Sequence, residues 1–471
     1  MPNPASSSPS PTALADWDRR YVWHPFTQMR DWERSTPLII THAKGPYLYD
    51  HEGRRYLDGV SSIWVNLHGH RHPTLDRAIH RQLRQAAHTT LLGLASPPSI
   101  RLARELIRRA PTGLTRVFYS DDGSTAMEVA LKMALQYWQQ CRPAGPRKRT
   151  FVHFSQAYHG DTAGAMSIGG IDLFQGRFDA LQVRSETVDA PYCYRCPIQK
   201  TFPSCALACV APLEALLTQR HREIAGVVVE PLVQAAAGLI TAPLGYLARV
   251  RELCTRYNVL LIADEVATGF GRTGTLFACE QENVTPDLMA ISKGLTGGYL
   301  PLAATLATDT IYDAFLGRYD EFKTFFHGHS YTGNALGCAA ALANLDIFRQ
   351  ERTLAGVRQK SRLLSRALRP LADIPVVGDI RQRGMMVGIE LVMNRETRAP
   401  FPLATQIGHR IAAAARERGM ILRPLGHILV LMPPLNTPDR LLSTMVEILA
   451  DSIRAVTDNL PSRRRTPRTP R

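Results

Sequence analysis

The chain has 471 residues, 45% of them hydrophobic, and a formal net charge of +15. That length and apolar content exclude general disorder and leave one large α/β domain with an appendage, or two to four smaller domains. The charge does not point to nucleic acid. The last eleven residues, Pro461 to Arg471, hold Arg463, Arg464, Arg465, Arg468 and Arg471 and no acid, which is 5 of the 15 charges, and the body of the chain carries no interleaved aromatic and basic stripe.

No apolar run approaches the ~18 residues of a membrane span, and Pro4-Ala5-Ser6-Ser7-Ser8-Pro9 lacks the charged and apolar regions of a signal peptide. A cytoplasmic protein is expected, with no membrane and no nucleic-acid partner. Composition and element pattern divide the chain into a disordered start (1–19), an N-terminal arm with a small layer (20–75), a large domain (76–350) with a Cys-rich excursion (190–210), a C-terminal small domain (351–459) and a basic disordered tail (460–471).

In chain order, Leu38-Ile39-Ile40, Tyr47 to Asp50 and Arg55 to Gly59 predict short antiparallel strands, and Pro73–Ala87 and Ser99–Arg109 amphipathic helices. Val117 to Ser120 is a predicted strand that turns, through Asp121-Asp122-Gly123-Ser124-Thr125, into a long helix ending near Trp138. A glycine and a hydroxyl where a helix begins suit an anion, although they also make an ordinary cap. Thr150 to Phe154 predicts a strand followed by Tyr158-His159-Gly160-Asp161, and Gly226 to Val229 a strand tipped by Glu230.

The decisive stretch runs from Asn258 to Gly294. Val259 to Ala263 is a buried-strand pattern ending in Asp264, and Leu288 to Ser292 is another ending in Lys293. An acid and a lysine thus sit at the carboxyl ends of two strands, the edge where open α/β sheets bind ligands. That pair suits pyridoxal phosphate (PLP), whose aldehyde condenses with a lysine and whose ring nitrogen is held protonated by a carboxylate. A nucleoside triphosphatase reading of Asp264-Glu265 lacks its upstream Gly-Lys loop. Beyond Lys293, the turn-forming segment Phe326 to Asn334 precedes an Ala-rich helix. Arg423, beside an apolar run, is of the type that grips a carboxylate.

Four of the eight cysteines cluster as Cys193-x2-Cys196-x8-Cys205-x3-Cys209. The spacing is compatible with a tetrathiolate metal site, but the x8 gap is short for two knuckles, and a loop of reduced thiols with no metal is the preferred expectation.

Leu261 to Gly274 followed by Ser292-Lys293-Gly294 resembles the signature of class III, PLP-dependent aminotransferases. Trp23 to Thr27, Ala134 to Trp138, Tyr158 to Thr162 and Leu431 to Pro434 resemble, within that class, the 7,8-diaminopelargonic acid aminotransferases of biotin synthesis. The resemblance covers Trp23 to about Val446. It implies the type I aminotransferase fold, with a large, mainly parallel α/β domain and a smaller domain built from both chain ends. It also implies a homodimer and amino transfer onto 8-amino-7-oxononanoate.

Carried over by position, Lys293 would hold PLP and then move the proton, Asp264 would keep the ring nitrogen charged, and Tyr158 would lie near the ring. Gly123 and Ser124 would bind the phosphate with His329 and Ser330, the latter two from the other subunit. Gly328, Phe26 and Ile63 would line the substrate site, and Arg423 would anchor a carboxylate. Arg272, Asp161 and Glu230 match further positions of the site. The expected amino donor is S-adenosylmethionine on family frequency. Phe26, Ile63, His329 and Ser330 depart from that pattern and resemble a subgroup using lysine, which is the alternative donor. Another class III enzyme acting on an ω-amino acid or diamine is the alternative reaction.

Overall fold

Seven short, mostly apolar runs carry the architecture: Leu114–Ser120 (β1), Thr150–Phe154 (β2), Ser185–Val188 (β3), Ile224–Val229 (β4), Leu260–Asp264 (β5), Leu288–Ile291 (β6) and Ala303–Thr308 (β7). In the computed structural model, which describes residues 10–141 and 148–458, they form one sheet in the order β1-β7-β6-β5-β4-β2-β3. Only β7 runs against its neighbours; the pairs from β6 through β3 are parallel. Every residue of β4, β5 and β6 is buried, which is why these strands read as unbroken apolar runs rather than alternating ones. Because β2, β4, β5 and β6 point the same way, the residues at or just past their carboxyl ends, Tyr158, Glu230, Asp264 and Lys293, gather at one sheet edge.

The two chain ends meet beside this sheet. Arg55–Asp58 pairs antiparallel with Tyr47–Asp50 and parallel with Met420–Ile421, and Met386–Asn394 pairs with both Val377–Arg383 and Ile428–Leu431. Helices Thr353–Leu368, Ile407–Glu417 and Asp439–Thr457 bury Val357, Ile411 and Met445 against that second layer.

Three departures from the sequence reading have local causes. Residues 10–19 are not irregular: Pro11–Tyr21 is a helix whose Ser10 Oγ accepts from Ala13 N at 3.2 Å, and Asp18 is tied to Trp32 Nε1 at 2.8 Å. A hydroxyl cap with proline in the first turn outweighs the polar composition. Val377–Arg383 is a strand the pattern hides, because its buried Arg381 sits where an apolar residue is expected and is neutralised by Asp379 and Glu390 at 2.8 and 2.6 Å. The segment Met29–Glu33 is a short helix within the aromatic arm. The basic tail at 460–471 lies outside the described residues, and no described helix is long and apolar enough to cross a membrane.

Candidate active site

The sheet edge opens into a cavity of about 730 Å³, walled by Asp264, Lys293, Tyr158, Glu230, Ser124 and Trp64 among others. That volume is in the range of about 300–1,000 Å³ typical of small-molecule sites. The walls differ in chemistry from end to end.

Asp264 forms one end. Its Oδ2 lies 2.7 Å from His159 Nδ1 and its Oδ1 accepts from Val266 N at 3.0 Å, so with the carboxylate ionised His159 donates through Nδ1. A carboxylate offers about four lone-pair positions, so two donors leave room for a third. The His159 side chain is fully buried and its Nε2 has no hydrogen-bond partner among the described residues. Glu230, also buried, accepts from Tyr158 N at 3.1 Å and Ala235 N at 2.8 Å. Burial pushes its carboxyl up to about 7, with His159 and the two amides opposing and the Asp264 charge adding to the rise.

Lys293 lines the same cavity as these acids, partly buried, on a backbone with φ of +38°. Burial pulls its amine below the ordinary lysine range, against the pull of Asp264 and Glu230. The face of Trp64 lies 5.4 Å from its Nζ.

The other end is the start of helix Gly123–Cys141, whose first amides have no acceptor within the helix. Ser124 Oγ lies 2.9 Å from Thr162 Oγ1 and accepts from Thr162 N at 3.1 Å, which fixes the turn. A Cβ on Gly123 would come within 2.5 Å of Val266, and one on Gly160 would run into Ser124. Both glycines are required by close approach. Tyr158 hydroxyl donates to Asp161 at 2.8 Å, and its ring meets Phe174, which in turn packs edge-on against Phe26 at 5.2 Å. Burial raises the Tyr158 phenol, so it stays protonated.

Sequence reasoning located Lys293, Asp264, Tyr158, Gly123 and Ser124, and the fold brings all five to one cavity. It did not single out His159 as the partner of Asp264 or Trp64 as the ring over the lysine. The signal for His159 was an imidazole beside an aromatic at a strand tip. Phe26 and Ile63 are 56% and 45% exposed and lie outside the cavity wall. Gly328 and Ser330 are exposed, and His329 is half-buried with Nδ1 3.3 Å from Asp121 Oδ2 but no hydrogen bond at either ring nitrogen among the described residues. Arg423 is exposed and makes no ion pair among the described residues. The four clustered thiols line or adjoin a separate cavity with Arg195, Lys200 and Arg398. Among the described residues no group of three or more Cys, His, Asp or Glu is arranged to hold a metal ion.

The family model for class III aminotransferases matches residues 28–453. An adenosylmethionine-8-amino-7-oxononanoate aminotransferase of Nitratidesulfovibrio vulgaris is 55% identical over 95% of this chain and 82% of its own length. One from Geobacter sulfurreducens is 51% identical over 94% and 98%. The crystal structure of the Methanocaldococcus jannaschii enzyme of that name superposes with a TM-score of 0.91 at 42% identity, covering 95% of this chain and all of that one. An amine transaminase from an uncultivated Pseudomonas species, in its PLP-bound form, superposes at 0.88 with 35% identity over 93% and 99%.

The residues present fit PLP. A helix start that only glycine can occupy suits the phosphate, a buried carboxylate with spare acceptor capacity suits a protonated ring nitrogen, and an amine with a lowered pKa suits the aldehyde. With a matching sheet topology, an acid and a lysine on adjacent strand ends, and a family model spanning nearly all of the described residues, the chain belongs to the PLP-dependent class III aminotransferases.

Proposed function

We propose that the protein transfers an amino group to the ketone carbon of 8-amino-7-oxononanoate, giving 7,8-diaminononanoate for biotin synthesis. The observation that carries this reading is the likeness, over 94–95% of the chain, to enzymes named for that reaction, joined to a cavity lined by one lysine and two buried acids. Bound PLP supplies an electron sink for negative charge at the donor carbon. Lys293 is the group that takes the proton from that carbon and returns it, and burial, which favours its free-amine form, suits it to this at neutral pH. Asp264, fixed by His159 and Val266 N, presents its carboxyl group to the ring nitrogen. Gly123 and Ser124 hold the phosphate through the helix start.

The remaining site residues act from the rim. Arg423 grips the carboxylate of the amino acceptor through paired hydrogen bonds, and Phe26, Ile63 and Gly328 border the chain-binding end. His329 and Ser330 serve the phosphate site of a second copy in a homodimer. That role agrees with their place outside their own cavity wall and with the exposure of Phe326 and Tyr331 beside them, at 71% and 60%. Eight free cysteines fit a reducing cytoplasm.

S-adenosylmethionine is the amino donor in this reading. Trp64, against Lys293, supplies the flat electron-rich face that a sulfonium or adenine needs and that Ile63 lacks. Lysine is the second reading, carried by Phe26, Ile63, His329 and Ser330. Mixing the PLP enzyme with each compound separately, without acceptor, decides between them. Bleaching of the cofactor absorbance by S-adenosylmethionine is expected; bleaching by lysine alone removes the preferred donor. Failure to aminate 8-amino-7-oxononanoate with either donor, alongside turnover of an ω-amino acid, overturns the reaction itself.

A further inference from the structure

Four successive non-glycine residues, Ser61, Ser62, Ile63 and Trp64, have φ of +51°, +47°, +64° and +69°. That is one turn of left-handed helix, a conformation L-residues adopt singly and at a cost, and it persists only where its surroundings over-determine it. The surroundings do so here. Asp58 accepts from Ser62 N at 2.9 Å and Ser62 Oγ at 2.8 Å, and Ser61 Oγ donates to Met432 O at 2.7 Å. Within the turn, Trp64 N donates to Val60 O at 2.8 Å and Val65 N to Ser61 O at 3.0 Å.

The strongest restraint comes from another part of the chain. Arg272, 1% exposed, donates from Nη2 to Trp64 O at 3.2 Å and Asn66 O at 3.0 Å, and from Nη1 to Pro433 O at 2.8 Å. No carboxylate lies within ion-pair distance of it among the described residues, so the guanidinium is spent on backbone carbonyls of the turn and of the 433 loop. On the opposite side, a Cβ on Gly298 would come within 2.7 Å of Asn66 N and Val65 C, so the backbone there is at closest approach. The turn is clamped from two sides, and what it presents is the Trp64 ring, 5.4 Å from Lys293 Nζ.

We propose that Arg272 is a positioning residue for the transamination site: its guanidinium fork holds Ser61–Trp64 as a left-handed turn and so keeps the Trp64 ring closed over the Lys293 amine. The inference rests on the reading of this cavity as the site of amino transfer. Lysine cannot replace the arginine, because a single ammonium does not span three carbonyls on two loops.

The test uses full-length Arg272→Lys, Trp64→Phe and the double variant, each checked for a cooperative melt. In PLP-free protein, modification of Lys293 by an acetylating reagent is followed by peptide mass spectrometry; in PLP enzyme, kcat and KM for the amino acceptor are measured. Arg272→Lys is expected to speed Lys293 modification about tenfold and to raise KM more than it lowers kcat, and adding Trp64→Phe is expected to change little further, since both act through one ring. Wild-type modification rate and KM in a folded Arg272→Lys variant overturn the proposal, as do effects of the two substitutions that simply multiply. If Arg272→Lys does not fold, Gly298→Ala presses on the same turn from the other side: faster modification of Lys293 supports the clamp, and an unchanged rate overturns it. Coupled labelling effects in an enzyme that performs no transamination leave the clamp standing and count against the functional reading instead.

Discussion

The arrangement of Lys293, Asp264, His159 and Glu230 turns on burial more than on any one contact. Glu230 illustrates it, since a carboxyl in that position titrates near 7 rather than near 4. A raised acid binds its proton in the folded state while the unfolded chain has lost it, so stability falls as pH rises through the window from about 4.3 up to the folded value, by on the order of 3 kcal/mol. Glu230→Gln is expected to flatten the melting temperature of PLP-free protein across that window, and an unchanged pH profile places the titration elsewhere. Arg423 is tested by kinetics. Truncation to Ala removes charge-assisted hydrogen bonds of about 1.5–3 kcal/mol, which corresponds to a rise in KM for the keto acid of roughly ten- to a hundredfold. An unchanged KM leaves the guanidinium as solvated rim.

At the scale of elements, the strand ends and the helix start do the positioning. Gly123→Ala forces a Cβ to within 2.5 Å of Val266 and is expected to destabilise by about 1–3 kcal/mol while weakening PLP binding. Urea unfolding and a cofactor titration read the two effects, and a variant with wild-type affinity removes Gly123 from the phosphate cradle. The same elements explain what was legible beforehand. Strands β4 to β6 were readable because total burial makes their runs apolar, and the acid and lysine stood out as the first charged residues at or just past the ends of β5 and β6. Val377–Arg383 was not, because a buried Arg381 with acidic partners from other positions breaks the pattern that periodicity relies on. His159 and Trp64 escaped for a related reason: their roles depend on Asp264 and Lys293, 105 and 229 residues away in sequence, and no local spacing encodes such pairs. Nor does spacing register that residues 61–64 adopt a left-handed turn, since nothing in Ser-Ser-Ile-Trp favours one.

Across the whole molecule, Glu390 is the junction that ties the Cys-rich excursion to the C-terminal layer. It takes Arg381 Nη1 and Arg195 Nε, each at 2.6 Å, together with the Tyr192 hydroxyl. Burial would raise its carboxyl, but the nearby His427 imidazole, 3.7 Å away, and hydrogen bonds from Tyr192 and Arg381 overcome that and hold it well below the usual range. Its contribution is therefore fully present above about pH 4.3 and is lost as pH falls toward the folded value. Glu390→Gln leaves Arg381 buried with Asp379 as its remaining carboxylate, and losing the charge-assisted hydrogen bonds is expected to cost about 1.5–3 kcal/mol at neutral pH while making the acid limb of the stability curve shallower. Equal losses at pH 7 and pH 3, measured by urea unfolding, contradict that assignment.

The account as a whole hangs on one amine. Reduction of the PLP enzyme with borohydride, followed by proteolysis and mass spectrometry, locates the lysine that carries the cofactor. The adduct is expected on the peptide containing Ser292-Lys293-Gly294 in full yield, with Lys293→Ala giving none and no turnover. An adduct on another lysine, or a Lys293→Ala enzyme that still transaminates, contradicts the site described here.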